Sequence, residues 1–185
     1  MLKFFSKPLE RDRGLPGRLL QDDRGVTAVE FGLLAVPFFT IVAGILQTSV
    51  IFLATQVLES AVQDASRLIR TGQVQTAGRD IEYFRGRICD RLFSLFPDCS
   101  GLHVRVNEVS FRNMNIDPPV DPECTSSCEW SSSEVWSPGP GKTTMMVQVY
   151  YRYPVLLQFG PLGMANLADG TRLLGTATVF ENEPF

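Results

Sequence analysis

The sequence predicts an α+β protein: a long N-terminal transmembrane helix extends into a small periplasmic domain, in which a helix packs on an antiparallel sheet. Three observations favour this fold. Residues 31–55 form a run of 25 residues without a charge. Apolar residues then recur with helical spacing, and three later segments resemble strands. The predicted organisation is a leader over residues 1–25, a long helix over 26–71 and an extracytoplasmic domain over 72–185.

The uncharged run is long enough to cross a membrane. About 20 helical residues span the hydrocarbon core of a bilayer. A buried core helix is usually amphipathic, whereas this run is apolar nearly all round. A secretory signal has an apolar stretch of about 7–15 residues before a small-residue cleavage site, and residues 51–55 offer no such site. We therefore expect one transmembrane helix, with a kink where Pro37 removes a backbone donor.

Charge is distributed unevenly along the chain. Residues 1–25 contain six basic and four acidic residues, whereas residues 26–185 contain 11 basic and 16 acidic ones. Basic residues concentrate on the cytoplasmic side of a span. We therefore expect a cytoplasmic N-terminus, a single pass through the membrane and the bulk of the chain on the other side. The larger part has no stripe of Lys and Arg, which argues against nucleic acid as a partner.

Helical spacing continues beyond the span. Between residues 57 and 69, apolar residues lie three and four apart and define one stripe: Val57, Leu58, Ala61, Val62, Ala65, Leu68 and Ile69. This pattern predicts that the helix continues, and Gly72 is a typical stop. Residues 72–78 are expected to form a loop, and residues 79–96 a second helix.

Three segments have strand character. Residues 102–106 alternate between apolar and polar side chains, and this strand is expected to extend as far as Phe111. Residues 143–153 and 173–181 predict two further strands. Between the first two lies a loop over residues 112–142, which contains both tryptophans. A loop of this length is usually functional or held in place.

All four cysteines follow the predicted span: Cys89, Cys99, Cys124 and Cys128. They would lie in an oxidising compartment, where disulfides persist. Four cysteines allow three pairings, and local pairing would join Cys89 with Cys99 and Cys124 with Cys128. A zinc site is the alternative, but paired C-x-x-C spacing is missing and the chain has one histidine. We expect disulfides and no bound metal.

Enzyme chemistry has little support in the sequence. The single histidine, His103, lies between apolar neighbours on a predicted strand, and no Ser or Cys nucleophile motif accompanies it. The sequence contains no glycine-rich phosphate loop and no H-E-x-x-H motif. We therefore expect a protein without enzymatic activity and without a cofactor.

A lone carboxylate, Glu30, stands at the start of the apolar run. An ionised carboxylate beside a membrane is costly unless it is neutralised. Cleavage after Gly25 would create a partner, the α-amino group of Val26 on this chain or on a neighbour. The alternative is a capping box, in which Thr27 caps the helix and Glu30 accepts a hydrogen bond from a backbone N–H. Both interpretations predict a helix that begins near Thr27.

The residues around this carboxylate resemble a known family. Gly25, Glu30 and Phe31 resemble the prepilin-peptidase site of Flp-type (Tad) pilins and pseudopilins, with glycine before the cut, glutamate at the fifth mature position and an aromatic residue after it. Residues 24–31 and the following span look like the start of TadE-like proteins. Residues 65–72 resemble the end of that family's long helix. Flp pilins are much shorter and carry tyrosine where this chain has Phe31, which favours a minor pseudopilin.

The resemblance implies a subunit of a tight-adherence pilus with roles in assembly and adhesion. Gly25 and Val26 would flank the bond that a prepilin peptidase cuts, and Glu30 would pair with the Val26 amine of a neighbouring subunit. Other pilins and pseudopilins of the Tad machinery would be its partners, in the membrane or in the pilus. The alternative function is an uncleaved single-span anchor with a disulfide-stapled periplasmic binding domain.

Overall fold

The structure is a computed structural model, and it describes residues 25–110, 112, 114–121, 123–157 and 163–185. Apart from its last residue, the predicted leader lies outside these ranges. The described residues form an α+β protein with a long apolar helix at its start, as the sequence predicts.

The chain divides into two compact units, one that ends at Ala43 and one that comprises Gly44–Phe185. A single helix, α1, comprises Val26–Arg70. The described part of the first unit consists of Gly25 and the beginning of α1, and none of its side chains is buried. This part of the chain therefore has no core of its own.

In the second unit, α1 contributes one face to the core. Its buried residues there recur with helical spacing: Ile51, Ala54, Leu58, Ala61, Val62, Ala65, Ser66 and Ile69. The apolar stripe predicted over residues 57–69 is therefore confirmed, and it begins earlier than predicted, at Ile51.

The end of α1 has a backbone conformation that favours glycine. The Gly72 N–H donates to the Ile69 carbonyl at 3.0 Å, and Gly72 has a φ of 73°, in the left-handed region that glycine adopts without strain. A Cβ at this position would collide with the ring of Phe185. The predicted stop at Gly72 is confirmed, and the Phe185 ring packs directly against it.

Two short helices follow. The first, α2, comprises Gln73–Thr76 and lies in the segment predicted as a loop. The second, α3, comprises Ile81–Cys89. The carboxylate of Asp80 caps α3, because its Oδ1 accepts a hydrogen bond from the Tyr83 N–H at 3.0 Å.

The helix predicted over residues 79–96 is longer than α3. Phe93 and Ser94 have positive φ values of 49° and 59°, which an α-helix does not accommodate. Leu92 and Phe96 are nevertheless buried. The apolar spacing therefore identified the core positions correctly but not the end of the helix.

The sheet contains β1 (Leu102–Glu108), β2 (Val135–Trp136), β3 (Thr144–Pro154) and β4 (Thr171–Glu181). Their order in the sheet is β2-β1-β3-β4. As predicted, β3 pairs antiparallel with both β1 and β4. However, β2, a strand that the sequence did not predict, pairs parallel with β1, so the sheet is mixed rather than antiparallel throughout. A two-residue strand is too short to produce an alternating pattern.

The sheet has an apolar face and a polar face. The apolar face of β1 and β3 belongs to the same buried cluster as α1, and it consists of Leu102, Val104, Val106, Met145, Val147, Val149 and Tyr151. Strand alternation places His103, Gln148 and Tyr150 on the other face. Gln148 is only 1% exposed and His103 only 3%. The loop over residues 112–142 helps to cover this face, because Trp130 stacks on His103.

Replacing Gly72 with alanine should destabilise the second unit more than replacing Gly78 with alanine. Both glycines have positive φ, 73° and 59°, where a Cβ costs about 1–2 kcal/mol. A Cβ at Gly72 would also collide with Phe185, whereas nothing lies within 4 Å of a Cβ at Gly78. Thermal unfolding of the full chain in detergent micelles, followed by near-ultraviolet circular dichroism, should give the lower Tm for Gly72→Ala. Equal losses in the two variants would contradict a role for the Phe185 ring.

Candidate functional site

The residues that the sequence analysis assigned to processing lie at the exposed beginning of α1. Gly25 precedes the helix and Val26 is its first residue. Val26 is 48% exposed and Phe31 is 69% exposed, and Glu30 is exposed as well. The bond between Gly25 and Val26 is therefore accessible.

Nothing in the described structure requires glycine at position 25. Its φ lies outside the left-handed region, and no atom lies within 4 Å of a Cβ built on it. Gly72 differs, because both its φ and its contact with Phe185 exclude a side chain. A reason for glycine at position 25 therefore has to come from outside the described chain.

The capping box considered for Thr27 and Glu30 does not form. Because α1 begins at Val26, Thr27 lies within the first helical turn, and a capping residue would lie just before that turn. Within the described residues, the Glu30 side chain has no hydrogen-bond or ion-pair partner. This carboxylate is therefore available to a partner outside that part of the chain.

The first half of α1 has an apolar surface without a cover. An 18-residue window has a mean hydropathy of 2.1 and contains no buried residue. Leu33 and Leu34 are each 71% exposed. The hydroxyl groups in this part of the helix donate to carbonyls one turn earlier: Thr40 to Val36, Thr48 to Gly44, Ser49 to Ile45 and Thr55 to Ile51. This helix is long and apolar enough to cross a membrane once, and these four hydroxyl groups are hydrogen-bonded within it, as an environment without water requires.

The structure contains two disulfides, which are the two local pairs. Cys89–Cys99 joins the end of α3 to a 3-10 helix, Cys99–Gly101, that leads into β1. Cys124–Cys128 links residues four apart within the loop over residues 112–142. One disulfide therefore fixes the entry to the sheet, and the other constrains the loop.

Glu134 attaches this loop to the sheet and to α3. Its Oε1 accepts from the Val104 N–H at 2.8 Å. Its two carboxylate oxygens accept from one guanidinium nitrogen of Arg85 at 2.8 and 2.7 Å. The Arg85 side chain is only 13% exposed and also pairs with Glu82. Charge-assisted hydrogen bonds of this kind are the stronger ones, so the loop is held on one side of β1.

Trp136 and Asn182 fix the end of the same loop. The Trp136 ring packs against Phe84 of α3, with the two ring centroids 5.3 Å apart. The Asn182 side chain, in a residue 2% exposed, donates to the carbonyls of Pro138 and Pro140 at 3.0 Å each. The segment after β4 therefore holds the loop against the second unit.

Trp130 lies against the polar face of the sheet. Its ring stacks on His103 with the ring centroids 4.6 Å apart and the planes 22° from parallel. The Arg152 guanidinium lies 4.9 Å from the Trp130 ring centroid and donates to the Cys128 carbonyl at 2.7 Å. The disulfide-bonded part of the loop is therefore anchored on β1 and β3.

His103 borders an open cleft of about 520 Å³, which is lined by residues of α3, β1 and the loop. Burial lowers the pKa of His103, while Glu134 raises it and the cations Arg105 and Arg85 lower it further. The His103 Nε2 atom has no hydrogen-bond partner. The ring is therefore a neutral stacking partner of Trp130.

The described residues contain no group of three or more His, Cys, Asp or Glu side chains that could hold a metal ion. The sequence analysis did not identify the polar residues that anchor irregular segments, among them Glu134, Asn182 and Gln47, which bonds to the backbone of Leu157. A polar residue in a serine-rich loop and a glutamine in an apolar run have no distinctive spacing. Gln47 alone could have been identified from the sequence, because a glutamine within a membrane span requires a hydrogen-bond partner.

Residues 25–67 match a family model described as TadE-like protein. This match confirms the expected resemblance over most of α1, and it indicates a membrane protein related to the Tad pilus. The match ends within α1, so it does not extend to the sheet. No curated protein and no solved structure matches the chain.

Acidification should destabilise the second unit through His103. Its pKa in the folded chain lies below the ordinary value of about 6.5, so the folded chain binds fewer protons than the unfolded chain. The stability contribution is therefore complete above about pH 6.5 and is lost as the pH falls towards the folded pKa. Urea unfolding at several pH values should show a smaller loss for His103→Phe, which keeps a ring on Trp130. Equal pH dependence in both proteins would contradict this assignment.

Proposed function

We propose that the chain is a minor pseudopilin-like subunit of the Flp/Tad pilus machinery, cut after Gly25 and active in pilus assembly and adhesion. One observation carries the proposal. Glu30 has no side-chain partner among the described residues, and it lies at the exposed beginning of a helix whose apolar first part contains no buried residue. The family match over residues 25–67 supports the same function.

The energetics of Glu30 favour a partner supplied by assembly. Translocon-based scales assign about 2.5–3.5 kcal/mol to a charged residue at the centre of a membrane helix, and less near its ends. The α-amino group of Val26 would exist only after cleavage, and it carries the opposite charge. Pairing with the amine of a neighbouring subunit would neutralise both groups and fix the axial register between two helices.

The open surroundings of Gly25 support recognition by a peptidase. No described atom limits the size of a side chain there, so the fold does not explain why the residue is glycine. A protease that binds the extended chain around the cut would explain it. In this proposal the protein has no enzymatic activity, its single span lies in the inner membrane with the leader in the cytoplasm, and the second unit faces other pilins and pseudopilins.

An uncleaved single-span anchor is the alternative function. It is favoured by the disulfide-bonded loop and by the cleft beside His103 and Trp130. These features would allow the second unit to bind a partner without assembling into a pilus. The two functions predict different N-termini in cells: Val26 for the cleaved subunit and Met1 for the uncleaved anchor.

Cleavage can be tested on protein extracted from membranes of cells that contain a prepilin peptidase. Intact mass spectrometry should give a mature chain that begins at Val26, and Gly25→Leu should block its formation. Gly44→Leu is the matched control, because a Cβ at Gly44 also has open surroundings within 4 Å. A wild-type chain that still begins at Met1 would favour the uncleaved anchor.

Glu30→Gln should leave cleavage intact and reduce incorporation into the pilus. The substitution keeps the size of the side chain but removes the charge that would attract the Val26 amine of a neighbour. Glu59→Gln is the control, since Glu59 is an exposed glutamate of the same helix. Quantitative blotting of sheared pili against the membrane fraction measures the effect. Equal incorporation of both variants would contradict the pairing.

A further inference from the structure

The connection between β3 and β4 meets α1 within the segment predicted to lie in the membrane. After β3, the chain reaches Gln47 of α1. The Leu157 N–H donates to Gln47 Oε1 at 2.8 Å, and Gln47 Nε2 donates to the Leu157 carbonyl at 3.4 Å. One glutamine side chain therefore satisfies both polar groups of a single residue's backbone.

The returning part of the same connection meets the next residue of α1. Thr48 Oγ1 lies 3.9 Å from the Met164 sulfur, and the Met164 carbonyl accepts from Arg172 at 2.8 Å. Met164 and Ala165 also pack against the core of the second unit. Both described ends of the connection are therefore fixed beside residues 47 and 48.

The described surface around these contacts is apolar. Leu156 is 90% exposed, and nearby on α1 Leu46 is 62% exposed and Val50 is 44% exposed. The sequence from Tyr153 to Ala168 contains no charged residue. A large aliphatic side chain with this exposure is unfavourable in water, and several together indicate a surface that another phase or partner covers.

The length of α1 places this surface at the edge of a bilayer. The hydrocarbon core takes about 20 helical residues. If it begins at Val26, it ends about two residues before Gln47; if it begins at Phe31, it ends near Val50. In the first register Gln47 lies about 3 Å outside the boundary between acyl chains and headgroups, and in the second it lies about 5 Å inside; Gln47 and the backbone of Leu157 are therefore close to that boundary in both.

The hydrogen bonds at Gln47 suit this location. Backbone groups outside a helix or sheet are tolerated at membrane depth where protein groups satisfy them. The Gln47 side chain satisfies the backbone N–H and carbonyl of Leu157, and the Leu157 backbone satisfies the side-chain amide of Gln47. In water neither group would need the other. The pair therefore has its greatest value where water is scarce.

We propose that Leu156, Leu157 and Gly163–Ala165, together with Ile45–Val50 of α1, form a membrane-facing surface that lies in the lipid leaflet on the side of the second unit. This second contact would orient that unit on the bilayer, as an interfacial apolar element does. The proposal depends on the membrane span in the proposed function, but not on cleavage or on polymerisation.

The residues around this surface favour lipid as the material that covers it. The surface is continuous along α1 with exposed apolar side chains that extend as far as Leu53. Arg172, which donates to the Met164 carbonyl, places a cation where phosphate headgroups would lie. Glu59, the next acidic residue along α1, lies 12 residues beyond Gln47, or about 18 Å along the helix axis.

The test uses the full chain in vesicles of phosphatidylethanolamine and phosphatidylglycerol. A photoreactive benzoylphenylalanine replaces one of three exposed apolar residues: Leu156, Phe38 of the span, or Phe93 of the second unit. Phe93 is the matched control, because it is 76% exposed and lies two residues from Arg91, which pairs with Asp64 of α1. Asp64 lies about 25 Å along the helix from Gln47.

After irradiation, mass spectrometry should detect lipid adducts at positions 156 and 38, with a yield at 156 about tenfold above that at 93, because an interfacial residue contacts acyl chains. If lipid adducts form at position 38 but the yield at 156 is no higher than at 93, the membrane-facing surface is wrong, while the membrane span of α1 still stands. Absence of adducts at 38 would overturn both. Adducts at 156 that are mainly with protein would identify a neighbouring subunit as the occupant and overturn the assignment to lipid.

Discussion

The central constraint in this protein is that one helix serves two environments. From Ile51 onward, α1 buries one face in the core of the second unit, and its apolar stripe packs in the same cluster as β1 and β3. Before that point, none of its side chains is buried. Because burial of apolar surface is the main favourable term in folding, the first stretch requires lipid or other subunits. The second stretch is buried by β1 and β3 of the same chain.

The remaining architecture consists largely of polar groups that hold irregular segments in place. Glu134 satisfies the Val104 N–H of β1, and Asn182 satisfies carbonyls of the proline-rich end of the long loop. Each unsatisfied buried group of this kind would cost about 1–3 kcal/mol. The loop over residues 112–142 is therefore a part of the fold, even though most of it belongs to no helix or strand.

Regular periodicity allowed much of the fold to be predicted from the sequence, and the irregular parts had no comparable signal. The apolar stripe of α1, the glycine stop and the three longer strands all follow from local patterns. The short β2 strand is held by a tertiary contact, the packing of Trp136 on Phe84, and the helix does not continue to Phe96 because Phe93 has a positive φ. Neither feature is visible in the spacing of apolar residues. At the candidate site, the sequence identified Gly25 and Glu30. It could not decide the capping box, because that depends on whether the helix begins one residue before or after Thr27.

The position of α1 at the start of the core has a consequence during synthesis. Its buried residues end at Ile69, whereas β4 ends at Glu181. At a translation rate of about 5–20 residues per second, the last strand of the sheet emerges roughly 5–20 s after the stripe that belongs to the same core. During that interval an apolar helix face has no sheet to cover it. The nascent chain therefore needs either a chaperone or the membrane itself to protect that face until translation of the sheet is complete.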